Sequence, residues 1–188
     1  MYTSGSSGRP KGVELTHGNI VHAIMAFSMQ VDVHSGDRYL AYLPLAHSPK
    51  VMSGTLGDAQ VAKPTYMNAV PLVLDRIVKG VNNVAQDQGF LKQKIFSKAL
   101  EIKKKQSAPE FVNKILDFVV FNKVKDQLGG DLRLIVVGGA PLSADTHTNI
   151  RAMFGCNVQV GYGATETTAC ISGAVTSDQR TGHCGAPC

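Results

Sequence analysis

The run Leu132-Arg133-Leu134-Ile135-Val136-Val137 does most to limit what this chain can become. Its nearly continuous apolar character suits a strand covered on both faces, as in a parallel sheet with helices on either side. Gly138-Gly139 supplies a turn directly after it, and Ser143 is a natural N-cap for a helix through Phe154. Asn157 to Val160 reads as the next strand. Strand, glycine turn, helix and strand make a right-handed parallel βαβ unit. The expected fold class is α/β, a mostly parallel sheet flanked by helices.

The rest of the chain fits that class. Residues 2 to 12 form a Gly/Ser/Pro-rich loop. A helix is expected from Thr16 or Asn19 to about Gln30, with Ile20, Ala23, Ile24, Phe27 and Met29 at mostly helical spacing. Tyr39 to Leu45 reads as a strand ended by Pro44. Residues 48 to 60 carry turn formers and show no period. Tyr66 to Val70 is a second apolar strand, leading through Pro71 into a helix that reaches about Val84. Residues 90 to 105 and 110 to 127 read as further helices, the last stopped by Gly129-Gly130.

With 188 residues, 44% of them hydrophobic and 18% charged, the chain is long enough for one domain with a sizeable core. The net charge of +5 owes much to Lys92, Lys94, Lys98, Lys103, Lys104 and Lys105. A Lys-rich helix surface is ordinarily a solvated face, so no nucleic-acid partner is expected. The four cysteines, Cys156, Cys170, Cys184 and Cys188, form no CxxC pair and have no histidine at zinc-finger spacing. They are expected to be free thiols. No apolar run approaches the ~20 residues that cross a bilayer, and no targeting segment is expected at Met1.

The loop Thr3-Ser4-Gly5-Ser6-Ser7-Gly8-Arg9-Pro10-Lys11-Gly12 carries chemistry of its own. Glycines let a backbone approach a phosphate closely, and successive N–H groups can form an anion nest. The hydroxyls add donors, and Lys11 adds a point charge. The spacing is not that of the GxxxxGK(S/T) phosphate loop. Composition alone leaves a flexible linker and an anion-binding loop as equal readings.

The exact string separates them. YTSGSSGRPKGVELTHGNI, residues 2 to 20, resembles the phosphate-loop signature of the adenylate-forming enzymes, (S/T)SG(S/T)TGxPKG. Three more segments agree in order: YLPLAH (42 to 47), GGAPLS (138 to 143) and GYGATE (161 to 166). Within that superfamily the chain looks most like the long-chain fatty acyl-CoA synthetases. KPTYMNAVPLVLDRI (63 to 77), the Lys-rich helical insertion, LGGDLRLIVVGGAPLS (128 to 143) and TGHCGAP (181 to 187) carry that narrower likeness.

The resemblance implies part of the large domain of such an enzyme, and a reaction. ATP and Mg2+ activate a long-chain fatty acid to an acyl-adenylate, which then passes its acyl group to CoA. Thr3, Ser4, Gly5, Ser6, Ser7, Gly8 and Lys11 would hold the β- and γ-phosphates; Ser7 replaces the commoner threonine and keeps its hydroxyl. Gly138, Gly139 and Ala140 would line the adenine pocket, with Tyr162 stacked on the ring and Gly163 beside it. Thr165 would contact the α-phosphate and Glu166 would hold Mg2+. His47 would stand near the reacting carboxylate, making His47, Lys11, Thr165 and Glu166 the implied catalytic set. Tyr42 to Leu45 would wall the acyl site. Tyr66 to Leu74 could line a fatty-acid tunnel or pack a core, and the residues do not separate those readings.

Against the family pattern, residues 1–188 read as a partial adenylation domain that lacks an N-terminal subdomain and a C-terminal lid domain. A further gap is expected near 48–60, where the family carries a helix and a strand. No ribose-binding aspartate and no C-terminal catalytic lysine can be assigned. The chain by itself is accordingly expected to be inactive, and to be unstable or dependent on a partner. For the complete enzyme, residence on the cytosolic face of the endoplasmic reticulum or mitochondrial outer membrane is expected. Two other readings stay open: a non-catalytic nucleotide-binding module, and a related adenylating enzyme for another carboxylic acid.

Overall fold

A computed structural model describes residues 1–3, 9–41, 56–105 and 108–188. Tyr2–Thr3 (β1) pairs antiparallel with Lys11–Gly12 (β2), so the loop expected over residues 2 to 12 is closed by a short stem. Helix α1, His17–Gln30, starts at a reciprocal capping box. The Thr16 hydroxyl accepts from the Asn19 N–H at 3.1 Å, and the Asn19 side-chain oxygen accepts from the Thr16 N–H at 3.0 Å. The apolar residues of α1 do not form a buried face. Ile20, Val21, Ile24, Met25 and Met29 lie along one half of the helix surface, and all are exposed.

Strand β3 is Tyr39–Leu40; Tyr42 to Leu45 lie outside the described residues. Leu56–Ala62 is a helix, α2, where the sequence shows no period. Its order comes from tertiary packing: Ala59 is buried in the core, and Gly129 lies so close that a Cβ there would sit 2.5 Å from Lys63 Cα and 2.7 Å from the Ala59 carbonyl oxygen. Gly129 thus does more than stop a helix. Its φ of +88° and that close approach both require the absent side chain.

Strand β4, Tyr66–Ala69, runs into α3, Pro71–Asp87, with proline at the first helical positions where no N–H is needed. Helix α4 is Phe90–Lys104 and α5 is Glu110–Leu116. A π-helical turn, Asp117–Phe121, follows, and then α6, Asn122–Asp126. Strand β5, Leu134–Val137, leads to α7, Ala144–Phe154, capped as expected by Ser143, whose hydroxyl accepts from the Thr146 N–H at 3.0 Å. Gly155 ends α7 in the left-handed conformation. Strand β6 is Asn157–Tyr162, and the short strands β7, Ser172–Gly173, and β8, Ala186–Pro187, come after it.

The elements form an α/β fold with a mixed, mostly parallel sheet flanked by helices. The chain divides into two compact units, Gly36–Val158 and Met1–Ser35 with Gln159–Cys188.

In the first, β3, β4 and β5 pair in parallel, with Leu40 beside Met67 and Met67 beside Ile135. Met67, Leu74, Phe121, Ile135, Ile150 and Met153 form the center of its core. For Met67, Ala69 and Leu74, core packing is therefore the reading that holds. A charged cluster backs the core: Lys103 and Lys125 both pair with Asp117, and the Lys103 ammonium lies 4.8 Å from the center of the buried Phe121 ring. In the second unit, β6, β7 and β8 pair antiparallel, with Tyr162 beside Ser172 and Ser172 beside Pro187. The buried Gln159 amide ties this unit together, donating to the Gln30 carbonyl at 3.1 Å and to the Thr176 hydroxyl at 2.9 Å.

Candidate functional site

Strand β6 ends on Tyr162, whose side chain is 57% exposed and offers a flat apolar ring to a ligand. The next residue, Gly163, packs directly on the Ala169 carbonyl, in space that any Cβ would occupy. The chain folds back on itself there. The Ile171 N–H donates to the Tyr162 carbonyl at 2.9 Å, and the Ala169 N–H to the Ala164 carbonyl at 3.0 Å. Thr167 closes the inner turn: its hydroxyl accepts from the Ala164 N–H at 3.1 Å and donates to the Ala164 carbonyl at 3.0 Å. Thr165–Thr167 form one turn of 3-10 helix, and Thr168 and Ala169 follow with φ of 56° and 84°. Left-handed backbone at two successive non-glycine residues is uncommon, and it persists where surroundings over-determine it. The result is a closed turn carrying Thr165 and the exposed Glu166.

A cavity of ≈ 260 Å3 opens beside Glu166, lined also by Asn19, His22, Thr167, Cys170 and Cys188. Asn19, His22, Ala23 and Ala26 present one face of α1 to it, at the spacing i, i+3, i+4, i+7. That small and polar stripe was the signal in the sequence for this wall; the apolar residues of α1 pointed elsewhere. Cys170 and Cys188 gave no sequence signal, since their meeting depends on the β7–β8 pairing.

The β1–β2 stem sets Thr3 directly opposite Lys11. The Val13 N–H donates to the Met1 carbonyl at 2.7 Å and extends the stem. Ser4, Gly5, Ser6, Ser7 and Gly8 lie between them, outside the described residues, as does His47. Gly138, Gly139 and Ala140 belong to the other unit. They follow the C-terminal end of β5, with the Gly138 N–H donating to the Ala69 carbonyl at 3.3 Å and Gly139 at φ +82°. Ends of parallel strands are where open α/β sheets take ligands. The described site residues therefore form two groups: Thr3, Lys11, Tyr162, Gly163, Thr165 and Glu166 in one unit, Gly138 to Ala140 in the other.

The chain matches the AMP-binding enzyme family over residues 1–57 and 48–188. It belongs to that family. Among curated AMP-binding relatives, it is 36% identical to long chain acyl-CoA synthetase 6, peroxisomal, of Arabidopsis thaliana, over 211 aligned positions covering 99% of this chain and 29% of the relative. It is 35% identical to long chain acyl-CoA synthetase 7, peroxisomal, of the same plant, again over 99% of this chain and 29% of the relative. The chain thus spans under a third of the length of these relatives. The O-succinylbenzoate coenzyme A synthetase of Bacillus subtilis, solved with ATP and magnesium, shares the fold with a TM-score of 0.63 at 22% identity, over 100% of this chain and 34% of that one.

These findings overturn one expectation, residence at the endoplasmic reticulum or mitochondrial outer membrane. Both synthetases named above are peroxisomal. Among the described residues, no helix is long and apolar enough to cross a membrane. Helix α3, with 17 residues, spans about 25 Å at about 1.5 Å per residue, short of the roughly 30 Å hydrocarbon core.

AMP-binding enzymes imply a Mg2+ ion. Among the described residues, no three His, Cys, Asp or Glu side chains gather to cage a metal. A single exposed carboxylate, Glu166, beside a cavity fits the usual mode for Mg2+, which takes one or two carboxylates and completes its shell with substrate phosphates and water.

Proposed function

We propose that this AMP-binding chain is part of a long-chain fatty acid–CoA ligase, the domain portion that binds Mg-ATP for activation of the fatty acid. The observation that carries the reading is the closed Tyr162–Ile171 turn, which holds an exposed ring, a hydroxyl and a carboxylate in one fixed order beside a cavity. Tyr162 stacks on the adenine, and Thr165 donates its hydroxyl to the α-phosphate. Glu166 holds Mg2+, which neutralizes charge on the phosphate oxygens. Thr3 and Lys11, opposed across the stem, flank Ser4, Gly5, Ser6, Ser7 and Gly8, the residues assigned to the β- and γ-phosphates. Gly138, Gly139 and Ala140 line the adenine pocket, and His47 orients the fatty acid carboxylate. CoA is the co-substrate that accepts the acyl group.

The rate advantage expected of these residues is electrostatic. Donors and charge fixed before the substrate arrives need no reorganization as charge shifts toward the departing pyrophosphate. The left-handed pair Thr168-Ala169 and the Thr167 hydroxyl bonds supply that rigidity around Glu166.

Residues 1–188 are read as part of one AMP-binding domain with a shortened segment near 48–60. Two observations support this. The family matches in two pieces that meet at residues 48–57, and the alignment to the first relative needs 211 positions where this chain has 188 residues. The same shortening favors a second reading, a module that binds nucleotide without catalysis. Calorimetric titration with Mg-ATP and a fatty-acid-dependent ATP–pyrophosphate exchange assay separate them. Binding with exchange supports the ligase, binding without exchange supports the module, and no binding of Mg-ATP sinks both.

A further inference from the structure

Cys170 and Cys188 are far apart in sequence and meet at the wall of the Glu166 cavity, with their sulfurs 2.8 Å apart. The approach is built into the backbone. Gly173 pairs with Ala186 and Ser172 with Pro187, and the ladder continues as the Cys188 N–H donates to the Ile171 carbonyl at 2.9 Å. Neighboring strands held in this register keep the two thiols together. A disulfide requires about 2.05 Å between sulfurs, so bond formation asks only for a small side-chain adjustment.

We propose that Cys170 and Cys188 are a redox modification site: a hydroperoxide joins them in a reversible disulfide that fastens the Glu166-bearing turn to the end of β8. Cys188 is exposed and reacts first. Its sulfur takes one oxygen from the peroxide to give a sulfenic acid, and water leaves. The Cys170 sulfur then attacks the Cys188 sulfur; the S–O bond breaks, and the hydroxyl departs with the Cys170 proton as a second water. Two thiols and one hydrogen peroxide become one disulfide and two waters. The order of the two cysteines follows from their surroundings. Burial and the contact with Cys188 push the Cys170 thiol up to about 11, which disfavors it as the first nucleophile, while contact distance compensates in the second step. Cys156 is an internal control: fully buried, its thiol pushed up to about 12 by that burial, it is inert.

The consequence is mechanical. Cys170 directly follows the left-handed Thr168-Ala169 pair that shapes the turn carrying Thr165 and Glu166. A covalent tie from Cys170 to β8 restricts opening of that turn. The bond is detected chemically, so it stands or falls independently of Mg-ATP binding.

The test treats the 188-residue chain with hydrogen peroxide, alkylates free thiols, digests with trypsin and sequences the products by mass spectrometry. Cleavage after Arg151 and Arg180 puts the two cysteines on separate peptides, 152–180 and 181–188. The expected product joins those peptides through Cys170 and Cys188, is cleaved by dithiothreitol, and persists in Cys156→Ser and Cys184→Ser. It is lost in Cys170→Ser and in the exposed-site variant Cys188→Ser, which does not disturb the core. Hydrogen exchange over residues 163–171 is expected to slow in the oxidized protein. Cys170 and Cys188 both remaining alkylatable, peroxide driving either to sulfinic acid without a joined peptide, or linkage through Cys184 would each overturn the site. A disulfide with unchanged exchange would overturn the fastening.

Discussion

Asp37 and Arg133 are 96 residues apart in sequence and form a two-point ion pair, the Arg133 Nε donating to Asp37 Oδ1 at 2.9 Å and its terminal nitrogen to the other carboxylate oxygen. Asp37 also accepts from the Thr65 hydroxyl at 2.6 Å. The three residues stand just before β3, β5 and β4. One carboxylate therefore aligns the starting ends of three parallel strands, and every residue downstream of them inherits that register.

Arg133→Met is expected to destabilize the Gly36–Val158 unit by about 2–3 kcal/mol. Breaking a buried pair costs about 3–5 kcal/mol because the surviving charge is stranded, and the one-third exposure of Arg133 lowers that figure. Urea unfolding followed by circular dichroism measures the loss. A change below about 0.5 kcal/mol would show that the pair does not set the register.

Gly129→Ala should be more damaging than an ordinary turn glycine. The new methyl group meets Lys63 and Ala59 backbone and also forces a left-handed alanine. Left-handed strain of about 1 kcal/mol or more and overpacking of about 1–3 kcal/mol together predict a loss near 3 kcal/mol. At the neighboring Gly130, with φ of +85°, a methyl group would carry the same left-handed strain but meet only the Asp126 side chain, at 3.4 Å, so Gly130→Ala should be milder in the same thermal melt.

The Asp117 cluster predicts an acid limb. Burial works to raise the Asp117 carboxyl, and bonds from Lys103 and Lys125 outweigh it and hold the group below its usual range. A depressed carboxylate stabilizes fully above its unfolded value, about 3.9, and loses that contribution as pH falls through the folded value. Lys103 is lowered by its own burial against the pull of Asp117, so its contribution rises only as alkaline pH removes the proton. Asp117→Asn is expected to lower the urea midpoint at pH 7, with the gap to the parent protein closing toward pH 2. A constant gap across that range would refute the assignment.

At the proposed site, Glu166→Gln should weaken Mg-ATP binding about tenfold while leaving magnesium-free ATP binding nearly unchanged, since only the metal contact loses its charge. Gly163→Ala should weaken both, because a methyl group displaces Ala169 and opens the turn that carries Tyr162 and Thr165. Titration calorimetry with and without magnesium distinguishes the two patterns. Equal losses for Glu166→Gln under both conditions would remove Glu166 as the metal ligand.

What the sequence determined by itself is the part of the fold written in local signals. The apolar run Leu134–Val137, the Ser143 cap, the glycine after Phe154 and the capping residue Thr16 each specify an element through contacts within a few residues. The motif string GYGATE likewise names Tyr162, Thr165 and Glu166 as candidates. Tertiary structure alone decided the features that depend on distant partners. Helix α2 has no period and packs closely against Gly129; two-residue strands such as β7 and β8 are too short to show alternation; the α1 wall of the cavity is formed by the small and polar stripe and not by the apolar residues. The physical reason is common to all three: their stabilizing contacts join segments widely separated in the chain, so neither segment names its partner, even where, as in α1, the stripe itself is periodic.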